Sequence, residues 1–287
     1  MVWRERWLII SFLTPGMILF ALTILLPAVM AVRFSLFKMS SFIDEPVFIG
    51  LGNFVALAGQ QRFWNAFGNN MLYTGACVFF QTVIGIGVAL ILHNNFPGRN
   101  LVRGATIVPY IIPSVVVAIT WRWMLQPQLG IMNAMLRSVG LPAVEWFSVN
   151  MAMPTMVLIS TWTWMPFVAL VFLAALQTVP DELYESATID GANWRQRFTN
   201  ITLPVLKPAV AIIILLRGIW MFNKFDQIWL LTGGGPLQTT ETLPILTYLK
   251  TFSLNRVGEG TALATLILVV TLIGTMIYFR VFRLEEA

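Results

Sequence analysis

Six long apolar runs separated by polar stretches dominate the chain: about Trp7–Val32, Asn70–Leu92, Ala105–Gln126, Met153–Leu176, Pro208–Leu231 and Glu259–Val281. Each exceeds the roughly 18 residues that mark a helix able to cross a bilayer. The pattern predicts an all-α integral membrane protein with six transmembrane helices. The first run follows Arg4 and Arg6, as the core of a signal peptide would, but it extends over about 26 residues rather than roughly 7–15 and predicts a retained helix. Residues 1–287 read as a single transmembrane domain, with no linker or low-complexity tract. Pro15, Pro27, Pro109, Pro113 and Pro166 fall inside the runs, where neighbouring helices can take up the freed carbonyls. Gly75–Ala76 and Gly85–Ile86–Gly87 predict close packing of the second span.

Composition supports this class. Hydrophobic residues make up 57% of the chain and charged residues 11%, where soluble proteins carry about 25% charged. The net charge of +5 comes without a dense Lys/Arg run, so it is read as anchoring of span ends and not as a nucleic-acid surface. With both termini cytoplasmic, the inner segments 1–8, 93–104, 177–207 and 280–287 hold nine Lys/Arg in 59 residues. The outer segments 33–69, 127–152 and 232–258 hold six in 90, and this asymmetry predicts that orientation. Cys77, the single cysteine, lies in an apolar run and is read as a packing residue.

The longest inner segment, Leu176 to Pro208, has a helical design of its own. Pro180 suits a first helical position, and Asp181 and Glu182 suit the positive end of a helix dipole. Leu183, Tyr184 and Ala187 form a small apolar stripe, and Gly191 can close the helix in a left-handed conformation. Asn193 can cap a second short helix, Trp194 to about Asn200, which presents Trp194 and Phe198 on one face. Pro204 and Pro208 are expected to reset the chain into the fifth span. These features alone fit either an amphipathic connector or a docking element.

The same stretch carries Glu185-Ser186-Ala187, Asp190-Gly191-Ala192, Phe198, Ile201 and Leu203-Pro204. At this spacing it resembles the Glu-Ala-Ala loop of binding-protein-dependent permeases, with Ser186 in place of the usual first alanine. Pro109-Tyr110-Ile111-Ile112-Pro113 with Trp121-Arg122-Trp123 resembles the third span of the carbohydrate branch. Phe225-Asp226-Gln227-Ile228-Trp229 with Thr232-Gly233-Gly234-Gly235-Pro236 resembles the region after the fifth. The chain is similar, over nearly its full length, to the first permease of maltose- and glycerol-phosphate-type ABC importers.

The resemblance implies a type I ABC importer permease fold in a bacterial inner membrane. It implies a coupling loop at about 177–207 that docks on a cytoplasmic ATPase subunit through Glu185, Ala187, Asp190, Gly191, Ala192 and Phe198. The expected partners are a second homologous permease, two ATPase subunits, an extracytoplasmic solute-binding protein, membrane lipid and a sugar-like solute. The chain is expected to be no enzyme and to bind no cofactor, ATP and magnesium belonging to the ATPase. Gly233-Gly234-Gly235-Pro236 lacks the Lys-Ser/Thr of a phosphate loop, and Gly85-Ile86-Gly87 lacks the strand a dinucleotide loop needs. His93, at the inner end of the second span, has no Cys, His or acid at metal spacing.

Ionisable groups within spans are costly and functional by default. Arg122, beside Trp121 and Trp123, is read as an interfacial anchor. The fifth span carries Arg217, Trp220, Asn223, Lys224, Asp226 and Gln227, and a continuous helix would put Trp220, Asn223 and Gln227 on one face. These residues either line a solute path or form internal pairs that hold helices together. Asp226 and Lys224, two apart, are expected to point different ways and find partners elsewhere. Trp162 and Trp164 are weaker candidates for the path. Three cations against one acid within the third and fifth spans also raise the expectation of an anionic solute. The rival functions are an ion-gradient-driven secondary transporter, with Asp226 the sole candidate coupling acid, a membrane enzyme and a scaffold.

Overall fold

The computed structural model describes residues 12–43 and 45–281, so Arg4, Arg6 and the start of the first run lie outside the described residues. In chain order, α1 (Phe12–Phe34) precedes a small hairpin of β1 (Phe37–Lys38) and β2 (Val47–Phe48), then α2 (Gly52–Ala58) and α3 (Gln61–His93). Next come α4 (Arg99–Ile111), α5 (Ser114–Met124), α6 (Ile131–Ser138), α7 (Ala152–Leu176) and α8 (Asp181–Ile189). The chain continues through α9 (Trp194–Phe222), α10 (Asp226–Thr232), α11 (Leu243–Tyr248) and α12 (Val257–Val281). Among the described residues, α1, α3, α7, α9 and α12 are long and apolar enough to cross a membrane, giving five such helices, or six with a bent pair counted as one.

That bent pair replaces the expected third span. Helices α4 and α5 meet at 98°. Pro113 has no N–H to continue the ladder and biases its predecessor towards extended backbone, and Ile112 is indeed extended, at ψ 129°. Hydropathy persists across a point where the helix does not.

The expected fifth span differs at both ends. Pro204 and Pro208 do not reset the chain, because α9 runs unbroken from the loop for 29 residues. A π-helical turn at Phe198–Thr202 precedes Pro204, and the widened turn accommodates a residue that cannot donate. Downstream, the helix stops at Phe222, nine residues before the expected Leu231.

The chain forms two compact units. One comprises the described residues up to Trp64 together with Leu246–Val270, and the other Asn65–Ile245 together with the described residues from Thr271. In the first unit, Phe37 pairs with Phe48 and Lys38 with Val47 across the hairpin. Asn53 Nδ2 donates to the carbonyls of Ser35 (2.8 Å) and Phe37 (2.9 Å), tying the hairpin to α2. Lys250, 3% exposed, donates to Gln60 Oε1 (2.7 Å) and Glu259 Oε2 (2.6 Å), while Arg256 holds Glu259 Oε1 at 3.2 Å.

In the second unit, α3, α7 and α9 share a core of Ala89, Leu92, Val168, Phe172, Leu176, Leu206 and Ile213. Close approach of α3 to α7 rests on Gly85, where an added Cβ would lie 2.7 Å from Val168 Cγ1. Gly75 and Gly87 face open space, so the small-residue expectation holds at one of these three glycines. Cys77 is a buried free thiol.

Candidate functional site

The loop keeps its expected bend but departs from the sequence reading twice: Pro180 precedes the first helix as its cap, with extended backbone at ψ 136°, and the second helix does not end near Asn200 but runs on to Phe222. Helix α8 starts directly after Pro180 with Asp181 and Glu182 in its first turn. Gly191, at φ +78°, closes it: Gly191 N–H reaches Thr188 O (3.1 Å) and Ala192 N–H reaches Ala187 O (2.9 Å). This is the left-handed cap for which glycine carries no Cβ penalty. Asn193 then caps the start of α9 through a reciprocal box, its Oδ1 accepting from Gln196 N–H (3.0 Å) while Gln196 Oε1 accepts from Asn193 N–H (2.8 Å). Arg197 Nη1 bridges back to Thr188 Oγ1 (2.9 Å), and Tyr184 Oη meets Thr202 Oγ1 (3.1 Å), so the two helices are braced.

Glu185, Asp190 and Gly191 are exposed, whereas Ala187, Ala192 and Phe198 are half-buried. Leu183, Ile189 and Trp194 are exposed as well, at 50%, 86% and 66%, so apolar side chains of the loop stand uncovered. His93 closes the underside of the loop, its ring centroid 6.2 Å from that of Tyr184. Both line a pocket of about 460 Å³ with Asp181, Trp194, Arg197 and Phe198.

The other end of α9 opens on a cavity of about 550 Å³ lined by Trp164, Arg217, Trp220, Asn223, Lys224 and Asp226. Five of the six residues read from the sequence as path residues therefore stand together. They do not do so on one helical face, because residues 223–225 break the helix. Asn70 Nδ2 takes the freed Phe222 carbonyl at 3.2 Å and Asn223 Nδ2 takes that of Ile219 at 2.8 Å.

The break also overturns the expectation for Lys224 and Asp226. Two residues apart on a helix they would diverge; in the non-helical turn Lys224 Nζ meets Asp226 Oδ1 at 2.8 Å. Lys224 Nζ also sits 4.3 Å from the Trp164 ring centroid. Gln227 departs from the other five. It is buried, accepts from Ser160 Oγ (2.8 Å) and donates to Thr163 Oγ1 (3.4 Å).

Arg217 is fully buried. Its Nε donates to Gln81 Oε1 at 2.8 Å and its Nη2 contacts Met221 Sδ at 3.5 Å. The guanidinium carbon lies 5.2 Å from the Trp164 ring and 5.5 Å from the Trp220 ring, within cation–π range. Gln81 Nε2 in turn donates to Ser160 O (3.4 Å), and Tyr73 Oη lies 2.5 Å from Ser160 Oγ. A buried polar chain thus runs from Arg217 through Gln81 and Ser160 to Gln227. Sequence reasoning missed Gln81, Ser160 and Thr163; the available signal was Gln81 itself, an amide in mid-span. Trp162 packs edge-to-face on Trp121 (5.4 Å), and Arg122 is exposed near the end of α5 beside Trp123.

Long apolar helices, an exposed and internally braced loop, and a cavity with charged residues in its wall at the far end of the same helix fit a membrane transport component. The chain belongs to the family described as binding-protein-dependent transport system inner membrane component, whose model matches residues 81–285. It is 33% identical to the trehalose/maltose transport system permease protein MalF of Thermococcus litoralis, over 99% of this chain and 96% of that one. It is likewise 33% identical to the sulfoquinovosyl glycerol transport system permease protein SmoG of Agrobacterium fabrum, over 98% and 92%. A crystal structure of a bacterial alginate ABC transporter, in complex with an alginate pentasaccharide-bound periplasmic protein, contains a chain that superposes with a TM-score of 0.86 at 26% identity. The match covers 99% of this chain and 97% of that one. The chain is accordingly an ABC importer permease subunit.

Proposed function

We propose that this permease subunit forms half of the translocation path for a sugar or sugar derivative and transmits ATP-driven movement to it through residues 177–207. The similar proteins named for trehalose/maltose, sulfoquinovosyl glycerol and alginate have carbohydrate in common, which supports that solute class. The observation that carries the reading is the unbroken α9, which starts at the capped loop and ends at the cavity wall.

In this reading the exposed Leu183, Ile189 and Trp194 surface is covered by a cytoplasmic ATPase subunit, as a helix laid in a groove. Gly191 gives the bend, Ala187 and Ala192 the close approach, Glu185 and Asp190 polar contacts, and Phe198 the anchor of the second helix. Closure of the ATPase pair moves the loop and biases one two-state element shared with the cavity. A second homologous permease completes the path, an extracytoplasmic binding protein delivers solute, and both termini are cytoplasmic. ATP and magnesium are held by the ATPase.

The test is solute-stimulated ATP hydrolysis and uptake in proteoliposomes of the full complex with loaded binding protein, comparing wild type with Gly191→Pro. Proline cannot adopt φ +78° and cannot donate to Thr188 O. Stimulation and uptake are expected to fall together while the complex stays assembled. Normal stimulation in the variant would sink the coupling role. Uptake abolished by an ionophore but not by ATP removal would mean an ion-gradient-driven transporter instead.

A further inference from the structure

Among the described residues, a buried cation with no acid paired to it stands in the wall of the cavity at the end of α9. Of the charged residues lining it, Lys224 and Asp226 are paired with each other, which leaves Arg217 as the uncompensated charge. Its partners are an amide oxygen, a thioether and two indole faces. Its Nη1 is buried without any hydrogen-bond partner, and so is the indole Nε1 of Trp164 on the same cavity. Buried donors are normally satisfied, and orphans mark either a defect or a place kept for a ligand. Two orphan donors on neighbouring side chains that line one cavity, one of them cationic, favour the ligand.

Resting on the carbohydrate-path reading above, we propose that this cavity receives the anionic group of a sugar acid, a carboxylate or sulfonate. Arg217 Nη1 and Trp164 Nε1 would be its donors. Arg217 supplies the charge and a planar edge suited to an oxyanion, and Trp164 adds a neutral N–H. Lys224 and Asp226 cancel each other and leave the specificity to Arg217. The guanidinium is covered in this conformation, so a ring must shift to admit the anion. Trp220, 43% exposed, is the less confined of the two that flank it.

The test uses the assembled complex in detergent without binding protein. D-glucuronate and D-glucose are titrated at matched ionic strength, with dissociation constants taken from thermal shift. Wild type is expected to favour glucuronate by about tenfold, as a charge-assisted contact would. Arg217→Gln is expected to abolish the preference and Arg217→Lys to restore part of it. Trp164→Phe, which keeps the ring and removes only the N–H, is expected to weaken glucuronate binding about threefold and glucose binding little. Equal affinity for the two sugars, a preference for glucose, or no binding of either overturns the proposal. Should Arg217→Gln fail to assemble, a Trp164→Phe variant with unchanged preference overturns it as well. In a parallel assay with proteoliposomes and loaded binding protein, uptake of a neutral sugar by wild type would leave the permease reading standing when the anion proposal falls. Loss of all solute-dependent uptake and ATP stimulation would take both.

Discussion

Two buried cations in this chain live in opposite circumstances. Lys250, in the first unit, has a carboxylate at 2.6 Å and an amide oxygen at 2.7 Å, and the carboxylate has a second cation on its other oxygen. Arg217, in the second unit, has no carboxylate, one hydrogen-bonded amide and an orphan nitrogen. The first arrangement is saturated: every group is spoken for, and its work is to hold α12 against the segments preceding it. The second leaves one donor unsatisfied among the described residues, where the proposed anion would sit. Burial alone does not separate structure from function; the degree of satisfaction does.

The largest effect that would test this contrast is Glu259→Ala. It strands Lys250 as an uncompensated buried charge, and loss of one partner of a buried pair costs about 3–5 kcal/mol, expected as a sharply lowered melting temperature in detergent. Arg217→Met should behave differently. Removing a poorly compensated buried charge relieves a desolvation penalty of several kcal/mol, while losing its cation–π contacts and orphaning the Gln81 oxygen, at about 1–3 kcal/mol for the latter, offset that gain. Thermal stability should therefore stay near wild type while solute handling is lost. Equal destabilisation by the two substitutions would break the contrast.

A smaller effect sharpens it with neutral residues. Gly85→Ala would press a methyl against Val168 and the Ala169 backbone, costing about 1–3 kcal/mol by overpacking. Gly75→Ala enters open space and should stabilise by roughly 0.5–1 kcal/mol through helix propensity. Smallest of all is Asp226→Asn. Its carboxylate is 45% exposed, and such a pair is worth about 0.2–1 kcal/mol, so melting should barely move.

How legible was this in the sequence? The fourth and sixth spans, at Ala152–Leu176 and Val257–Val281, were legible to within two residues because apolar length is what a bilayer selects. The bend of the loop was legible, since Gly191 and Asn193 act through local backbone chemistry that needs no distant partner, whereas the length of the helix that follows was not. The break at residues 223–225 was not. Ile219 through Leu231 stay apolar enough for an averaged window to cross the gap unseen, and the Lys224–Asp226 pair depends on that gap. Pro113 lay inside a run read as one continuous span, and the 98° bend it permits was not read from the sequence. Gln60, Lys250 and Glu259 meet across up to 199 residues of chain, and no local pattern encodes such a meeting.

The length of α9 sets a scale. At 1.5 Å per residue, its 29 residues span about 44 Å. A tilt of ~10° about one end carries the other through ~8 Å on such a rod. That is comparable with the radius of a sugar ring and its hydration shell. Although α9 carries a π-helical turn and two prolines, it runs from capped loop to cavity wall without a break, so in the proposed reading a modest angular stroke at the loop end is geometrically sufficient to open or close a passage at the cavity end.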